Sequence, residues 1–217
     1  MNAGLDADRG RALALTPVSP EVEKRLEKFV ALLLETQAHT NLIAASTIPV
    51  LWTRHIADSL QLLKLAPDAR MWIDLGSGAG FPGLVIACAL TVEPDAKIHL
   101  VESVGKKAAF LREAVRVTGA PAIVEQKRIE NIGDSLGTRA DVITARAVAP
   151  LKLLLDQVHP LMGPKTLALL HKGQDVEAEL TEASKYWSIE ADLVPSLTSP
   201  QGRIVVVRHL VARKTVA

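Results

Sequence analysis

The densest chemical signal in the chain is the stretch Trp72-Ile73-Asp74-Leu75-Gly76-Ser77-Gly78-Ala79-Gly80-Phe81-Pro82-Gly83. An apolar strand runs into a glycine-rich turn, and Pro82 then suits the first turn of a helix. Glycine lets the backbone take positive φ and lets a ligand approach with no Cβ in the way. Two acids flank the turn. Asp74 stands at the end of the strand, and Glu102 ends the next apolar run, Leu100-Val101-Glu102. An acid about 20 residues beyond such a turn is placed to accept the hydroxyl protons of an adenosine ribose.

Spacing alone admits two ligands. Gly78, Gly80 and Gly83 follow G-x-G-x-x-G, the pattern of turns that cradle a dinucleotide pyrophosphate. Asp74, Gly76, Gly78 and Gly80 follow D-x-G-x-G-x-G, a pattern typical of methyltransferases. Charge separates the two. A pyrophosphate needs positive potential from backbone N–H groups and a helix N-terminus, which the Asp74 carboxylate would oppose. S-adenosylmethionine carries an ammonium and a sulfonium and no phosphate. A carboxylate 4 Å from such a cation gains several kcal/mol at an effective dielectric of about 20, before desolvation. The methyltransferase register is the expected one.

Further along, Gln126-Lys127-Arg128-Ile129-Glu130-Asn131 follows a third apolar run. Backbone groups of Ile129 and Glu130 are placed to pair with an adenine edge, with Ile129 packing on its face. Arg146 is the leading active-site candidate, at the end of a fourth strand, where parallel-sheet ligands bind. Its guanidinium can hold a carboxylate or a carbonyl oxygen of a substrate. Lys172 is the second catalytic candidate, for a substrate carbonyl oxygen or a phosphate. Arg54, His55 and Asp58 share one helical face and can close the pocket or form a capping or interdomain polar cluster. Lys106 and Lys107 belong to a basic cluster with Arg112 and Arg116 and are candidate RNA contacts. Cys88 lies in an apolar helical stretch and reads as core. The six histidines show no metal-ligand spacing, so no metal is expected.

The elements that must position these residues are legible in the apolar rhythm. β-like runs at residues 71–75, 97–102, 122–126, 141–145, 166–171, 188–194 and 203–209 alternate with helical stretches, among them 82–90, 105–117, 151–161 and 174–187. Strand then helix, repeated, implies a parallel sheet covered on both faces. The last two strands are joined only by a loop holding Pro195, Pro200 and Gly202, so they pair as an antiparallel hairpin. The expected fold is α/β: a Rossmann-like class I methyltransferase fold with a seven-stranded, mostly parallel sheet and a final antiparallel hairpin. Ser19, Pro20 and Glu21 read as a helix start, followed at helical spacing by Val22, Leu26, Phe29, Val30 and Leu33. A second helix is expected from near Thr47 and Pro49. Residues 1–66 form a small N-terminal helical extension, and residues 67–217 the S-adenosylmethionine-binding domain. Residues 1–18 are polar and aperiodic, so a mobile or loosely packed lead is expected there.

With 217 residues and 48% hydrophobic content, the chain can bury a full α/β core, which excludes global disorder. No apolar run is long enough for a membrane helix, residues 1–18 offer no signal-like apolar run, and the one cysteine cannot form an internal disulfide. A cytoplasmic protein is expected, with a monomer as the default oligomeric state. A net charge of +1 neither demands nor excludes nucleic acid.

Several separated motifs occur in one order. They are Asn41-Leu42 and Arg54-His55-Ile56-Ala57-Asp58-Ser59, the glycine motif with its proline–glycine end, Glu102-Ser103-Val104-Gly105-Lys106-Lys107, Thr144-Ala145-Arg146-Ala147 and His171-Lys172-Gly173-Gln174. Together they resemble the glucose-inhibited division protein B family, also called RsmG, whose members are bacterial guanine-N7 methyltransferases of small-subunit (16S) ribosomal RNA. The resemblance implies S-adenosyl-L-methionine as cofactor, contacts to it from Gly76, Phe81, Ile129, Glu130 and Arg146, and ribosomal RNA as partner. Guanine N7 has an in-plane lone pair, so its methylation needs positioning and no general base. A nicotinamide-dinucleotide oxidoreductase and a non-enzymatic RNA-binding module are the alternatives from other classes.

Overall fold

A computed structural model describes residues 3–137 and 139–213, so Met1 and Asn2 of the leading segment lie outside the described residues. Two helices open the chain, α1 (Ala3–Leu15) and α2 (Pro20–Gln37). The next helical stretch is irregular: a 3-10 turn over Ala45–Val50, wide π-type turns over Trp52–Ala57, the short α3 (Asp58–Leu60) and a 3-10 turn over Gln61–Leu65. Strand–helix alternation follows, with β1 (Met71–Leu75), α4 (Gly83–Ala89), β2 (Lys97–Val101), α5 (Gly105–Thr118), β3 (Ala122–Glu125), α6 (Gly133–Leu136), β4 (Val142–Arg146), α7 (Leu151–Val158), β5 (Leu167–Lys172) and α8 (Val176–Ala183). The hairpin β6 (Trp187–Pro195) and β7 (Arg203–Ala212) closes the fold.

The strands form one seven-stranded sheet in the order β3-β2-β1-β4-β5-β7-β6. β7 runs antiparallel to both β5 and β6, and the pairs among β1 to β5 are parallel. The order reverses direction between β1 and β4, and open parallel sheets bind ligands outside the strand ends at such a switch. Alternation along β1 divides the core. Trp72 packs with the N-terminal helices, α4 and α5, whereas Ile73 and Leu75 pack with α7 and α8. α2 buries Val22, Leu26, Phe29, Val30 and Leu33, and Ser19 caps it by accepting the Val22 N–H at 3.3 Å. Burying side chains of this kind contributes about 1.5–3 kcal/mol each.

Residues 3–18 depart from the loose lead expected of residues 1–18. α1 is a helix with little apolar periodicity, which is why the sequence offered no sign of it. It is held by polar contacts. Asp8 is fully buried and accepts the Trp52 N–H at 2.8 Å, the Thr53 N–H at 3.1 Å and the Thr53 hydroxyl at 2.6 Å. Arg9 pairs with Glu23, 3.7 Å away, and with Glu27. Asp8 thus caps the irregular stretch that carries His55 and Asp58. Asp8→Ala strands buried N–H donors, each costing about 1–3 kcal/mol. The expected result is a melting temperature lower by roughly 5–10 °C; an unchanged transition would contradict this anchoring role.

Candidate active site

The glycine turn leaves β1 with Gly76 at φ +66°, Gly78 at +55° and Gly80 at +95°, backbone that a side chain would strain. A Cβ on Gly76 would lie 2.8 Å from the Val148 side chain, while one on Gly78 would meet only the Gly76 carbonyl oxygen at 3.7 Å. The turn is therefore tight on its β4 side and open above. Gly83 has a different task. A Cβ there would collide with Asp74 and Leu100 at 2.5–2.6 Å, so this glycine lets α4 press against β1 and β2.

Glu102, 6% exposed, clamps the turn. One carboxylate oxygen accepts the Gly78 N–H at 3.0 Å and the other the Val104 N–H at 2.7 Å. An ionised carboxylate has about four lone-pair sites, so capacity for hydroxyl donors remains. Asp74 lies lower than the sequence reading implied. It is 1% exposed, its oxygens accept the Thr144 hydroxyl at 2.8 Å and the Gly83 N–H at 3.1 Å, and it reaches a ligand only as buried charge beneath the turn. Burial pushes its pKa up to about 6, against hydrogen bonds from Ser77, Thr144 and Gly83 and the nearby Arg146.

This shift has a sign that can be tested. A carboxyl raised from 3.8 to about 6 stabilises the fold fully below pH 4, and that stabilisation is lost as pH rises through 6. Above pH 7 the buried anion costs on the order of 3 kcal/mol, at 1.36 kcal/mol per pH unit. Asp74→Asn should therefore melt at or above the wild type at pH 8, with the difference vanishing near pH 4. Its affinity for a cationic ligand should fall. Thermal melts at both pH values check the first outcome; a variant less stable at pH 8 than at pH 4, relative to wild type, would contradict it.

Arg146, at the end of β4, joins the N-terminal stretch to the sheet. It donates to Asp58 at 3.2 Å, to the Arg54 carbonyl oxygen at 3.2 Å and to His55 Nδ1 at 2.7 Å. Its guanidinium carbon sits 5.1 Å from the centre of the Phe81 ring, on which His55 stacks at 4.7 Å. Phe81 is itself buried against Phe29, so a ligand in the turn meets its backbone rather than its ring. Because a guanidinium only donates, His55 Nδ1 must accept, and Nε2 carries the proton toward the Thr47 hydroxyl at 2.9 Å. Burial, followed by Arg146 and Arg54, lowers the His55 pKa to about 3, so the ring stays neutral.

Asp58 is the hub. Besides Arg146 it accepts the Gln61 amide at 2.8 Å and the Thr198 hydroxyl at 2.6 Å, and it lies 3.6 Å from His171 Nε2. Burial alone would raise its pKa, but His171, Thr198 and Arg146 hold it below the usual carboxylate range. Gln61 also accepts the Leu197 N–H at 2.8 Å, so the loop between β6 and β7 is fastened to α3 and the turn after it. Arg146 thus meets His55, Asp58 and the Arg54 carbonyl oxygen. Gln61, Ser196 and Thr198 carry no chemical signature in the sequence, and His171 enters there only within the motif His171-Lys172-Gly173-Gln174. Ala147, the residue after Arg146, adopts φ +55°, a strained conformation for a non-glycine that turns the chain sharply at the strand end.

Lys172, the second catalytic candidate, lines the same cavity as Arg146 but reaches it from the α8 side of the sheet, because His171 takes the Arg146 side and strand neighbours alternate. Its ammonium is 2.6 Å from Glu179 and donates to the Ala149 carbonyl oxygen at 3.0 Å, with 9% of the side chain exposed. Its charge is already neutralised, and it fastens the loop after β4 to α8. Lys106 is exposed and Lys107 half-buried at the start of α5, on the β2 side of the switch point and apart from Arg146. Ile129 is half-buried and Glu130 exposed in a 3-10 turn after β3, where Glu130 accepts from Gln157 at 3.2 Å. Cys88 is core, its thiol pushed by burial up to about 12.

The sequence model of the family described as GidB, rRNA small subunit methyltransferase G, matches residues 22–210. The chain belongs to this family. A relative from Bradyrhizobium sp. strain BTAi1, named ribosomal RNA small subunit methyltransferase G, is 61% identical over 201 residues, covering 93% of this chain and 90% of that protein. One from Nitrobacter hamburgensis with the same name is 58% identical over 207 residues, covering 95% and 80%. Among solved structures, an O-methyltransferase from Bacillus cereus in complex with SAH superposes with a TM-score of 0.61 at 16% identity, over 93% of this chain and 96% of that one. A SAM-dependent methyltransferase from Aquifex aeolicus gives 0.57 at 14% identity, over 82% and 97%. At such identities the likeness shows the Rossmann-like methyltransferase fold alone. The Asp58–Arg146 hub lies within the span that the family model covers.

Proposed function

We propose that this family member transfers a methyl group from S-adenosyl-L-methionine to N7 of a guanine in small-subunit (16S) ribosomal RNA. The observation that carries the reading is the positive-φ turn of Gly76, Gly78 and Gly80, open above Gly78, between two carboxylates. Paired negative charge suits an ammonium and a sulfonium and opposes a pyrophosphate. The names of the relatives support ribosomal RNA as partner. Residues 67–217 hold the cofactor, with residues 1–66 as a helical extension that buttresses Arg146. The protein acts in the cytoplasm as a monomer; among the described residues no helix is long and apolar enough to cross a membrane.

S-adenosylmethionine, when bound, supplies a methyl carbon whose bond to sulfur breaks as the guanine N7 lone pair forms the new N–C bond. The chain's own groups have three tasks. Glu102 takes the ribose hydroxyls, the Ile129–Glu130 backbone the adenine edge, and the Gly76–Phe81 backbone the amino-acid end. Arg146, positioned by Asp58 and Phe81, holds the cofactor carboxylate or guanine O6. No proton leaves N7, so the neutral His55 has no base to be. Positioning of this kind supplies roughly 7–11 kcal/mol of a barrier.

The test is labelled methyl transfer to small subunits and to free 16S ribosomal RNA lacking the modification, followed by mapping of modified bases. One N7-methylguanine is expected; label on another base, or none, would overturn the reading. Affinity for RNA should fall steeply between 50 and 200 mM salt as Arg and Lys release phosphate counterions. A flat salt response would refute a phosphate-reading surface.

A further inference from the structure

The loop after β4 stands between two spaces. On one side Val148 abuts the glycine turn, where a Cβ on Gly76 would lie 2.8 Å from its side chain. On the other side Ala147, Val148 and Ala149 line a cavity of about 500 Å³, with Arg146 and Arg203 also in its wall. That volume falls in the range of small-molecule sites, about 300–1,000 Å³. Cradle and cavity thus adjoin at this loop, and its position sets how a ligand in one faces a ligand in the other. Arg146, bound to Asp58, secures the near end of the loop.

The far end is secured from other elements. Ala147 takes φ +55°, a conformation that a non-glycine keeps only where surrounding contacts over-determine it. Lys172, from β5, donates to the Ala149 carbonyl oxygen at 3.0 Å. Glu179, from α8, accepts the Leu151 N–H and lies 2.6 Å from the Lys172 ammonium. That N–H belongs to the first turn of α7, where the N-cap Pro150 offers no side-chain acceptor. One helix therefore caps the other, and the capping carboxylate also holds the ammonium that grips the loop. With 9% of its side chain exposed, Lys172 is packed into this arrangement.

We propose that Lys172 and Glu179 are positioning residues for the methyl transfer. Closed as a latch across the loop after β4, they hold Val148 on the glycine turn and so fix the alignment of methyl donor and acceptor, touching neither. The inference rests on the methyl-transfer reading above and assigns to this ion pair a share of its rate. A misplacement of about 1 Å can cost roughly 100-fold in rate. A loop freed at one end, with Arg146 still anchoring the other, should cost less than that.

The experiment uses the full chain, S-adenosylmethionine and small subunits lacking the modification. Lys172→Met and Glu179→Ala should each lower kcat about ten-fold with both substrates saturating, while KM for the subunit stays within about three-fold of wild type. The double variant should be about as slow as either single one, because both changes open the same latch. An ammonium that instead touched the substrate would be freed in Glu179→Ala, and transfer would hold or rise. Val148→Ala leaves the latch closed and removes its contact with the turn, so it should lose kcat about ten-fold as well. In Glu179→Ala, amide exchange at Val148, Ala149 and Leu151 should quicken about ten-fold. Undiminished kcat in a folded Glu179→Ala that only melts lower, multiplied losses in the double variant, full activity in Val148→Ala, or unchanged exchange would overturn the proposal. Should Lys172→Met or Glu179→Ala not fold, Val148→Ala decides. Absence of label in wild-type reactions would instead bring down the methyl-transfer reading, and the exchange rates would still decide whether the pair holds the loop.

Discussion

Arg146→Ala is expected to abolish labelled methyl transfer and also to lower stability by about 3–5 kcal/mol, the cost of leaving a buried partner charge unpaired. Asp58 is that partner, at 5% side-chain exposure against 16% for Arg146. For a chain of this length the melting temperature should drop by roughly 10 °C. The two effects separate in a second variant. Adding Asp58→Asn to Arg146→Ala removes the orphaned charge and should recover much of the stability, because the Gln61 and Thr198 contacts can persist on an amide. It should recover none of the transfer. Thermal melts and a transfer assay on the single and double variants check both outcomes. Near-normal turnover by either would remove Arg146 from the catalytic account. Recovered transfer in the double variant would mean that Arg146 serves only to neutralise Asp58.

Glu102→Ala should weaken S-adenosylmethionine binding about 100-fold, or roughly 2.7 kcal/mol by calorimetry. Charge-assisted hydrogen bonds contribute about 1.5–3 kcal/mol each, and two ribose hydroxyls would be released at once. The variant also frees the Gly78 and Val104 N–H groups, which loosens the turn before any ligand arrives. Glu102→Gln keeps an acceptor for one of those amides, so its loss should be intermediate. A Kd unchanged in Glu102→Ala would refute the ribose role.

The parallel sheet was legible because each strand is a short apolar run closed by a turn or helix start, a signal that depends on local residues. The glycine turn, Glu102 and Arg146 were legible for a related reason: all lie at strand ends, where the fold brings ligand-binding groups together. What escaped the sequence is the geometry around them. α1 adds a buried carboxylate and ion pairs to the packing of Leu5, Ala12 and Leu13, too few apolar positions to mark a stripe in the sequence. The stretch over residues 45–65 switches among 3-10, π-type and α turns, and its bonds to Asp8, Arg146, Leu197 and Thr198 come from far along the chain. Lys172 lines the same cavity as Arg146, while strand alternation turns its ammonium toward Glu179. Asp74 was read with the right charge and the wrong depth. His171 and the β6–β7 loop meet Asp58 only through tertiary contacts that local spacing does not encode.

A glycine cradle between two carboxylates should bind a sulfonium and not a diphosphate. Calorimetric titration of one protein preparation with S-adenosylmethionine and with NAD tests it most directly. Saturable heat at one site for S-adenosylmethionine, and none for NAD, is the predicted result. Saturable binding of NAD with no response to S-adenosylmethionine would contradict the account.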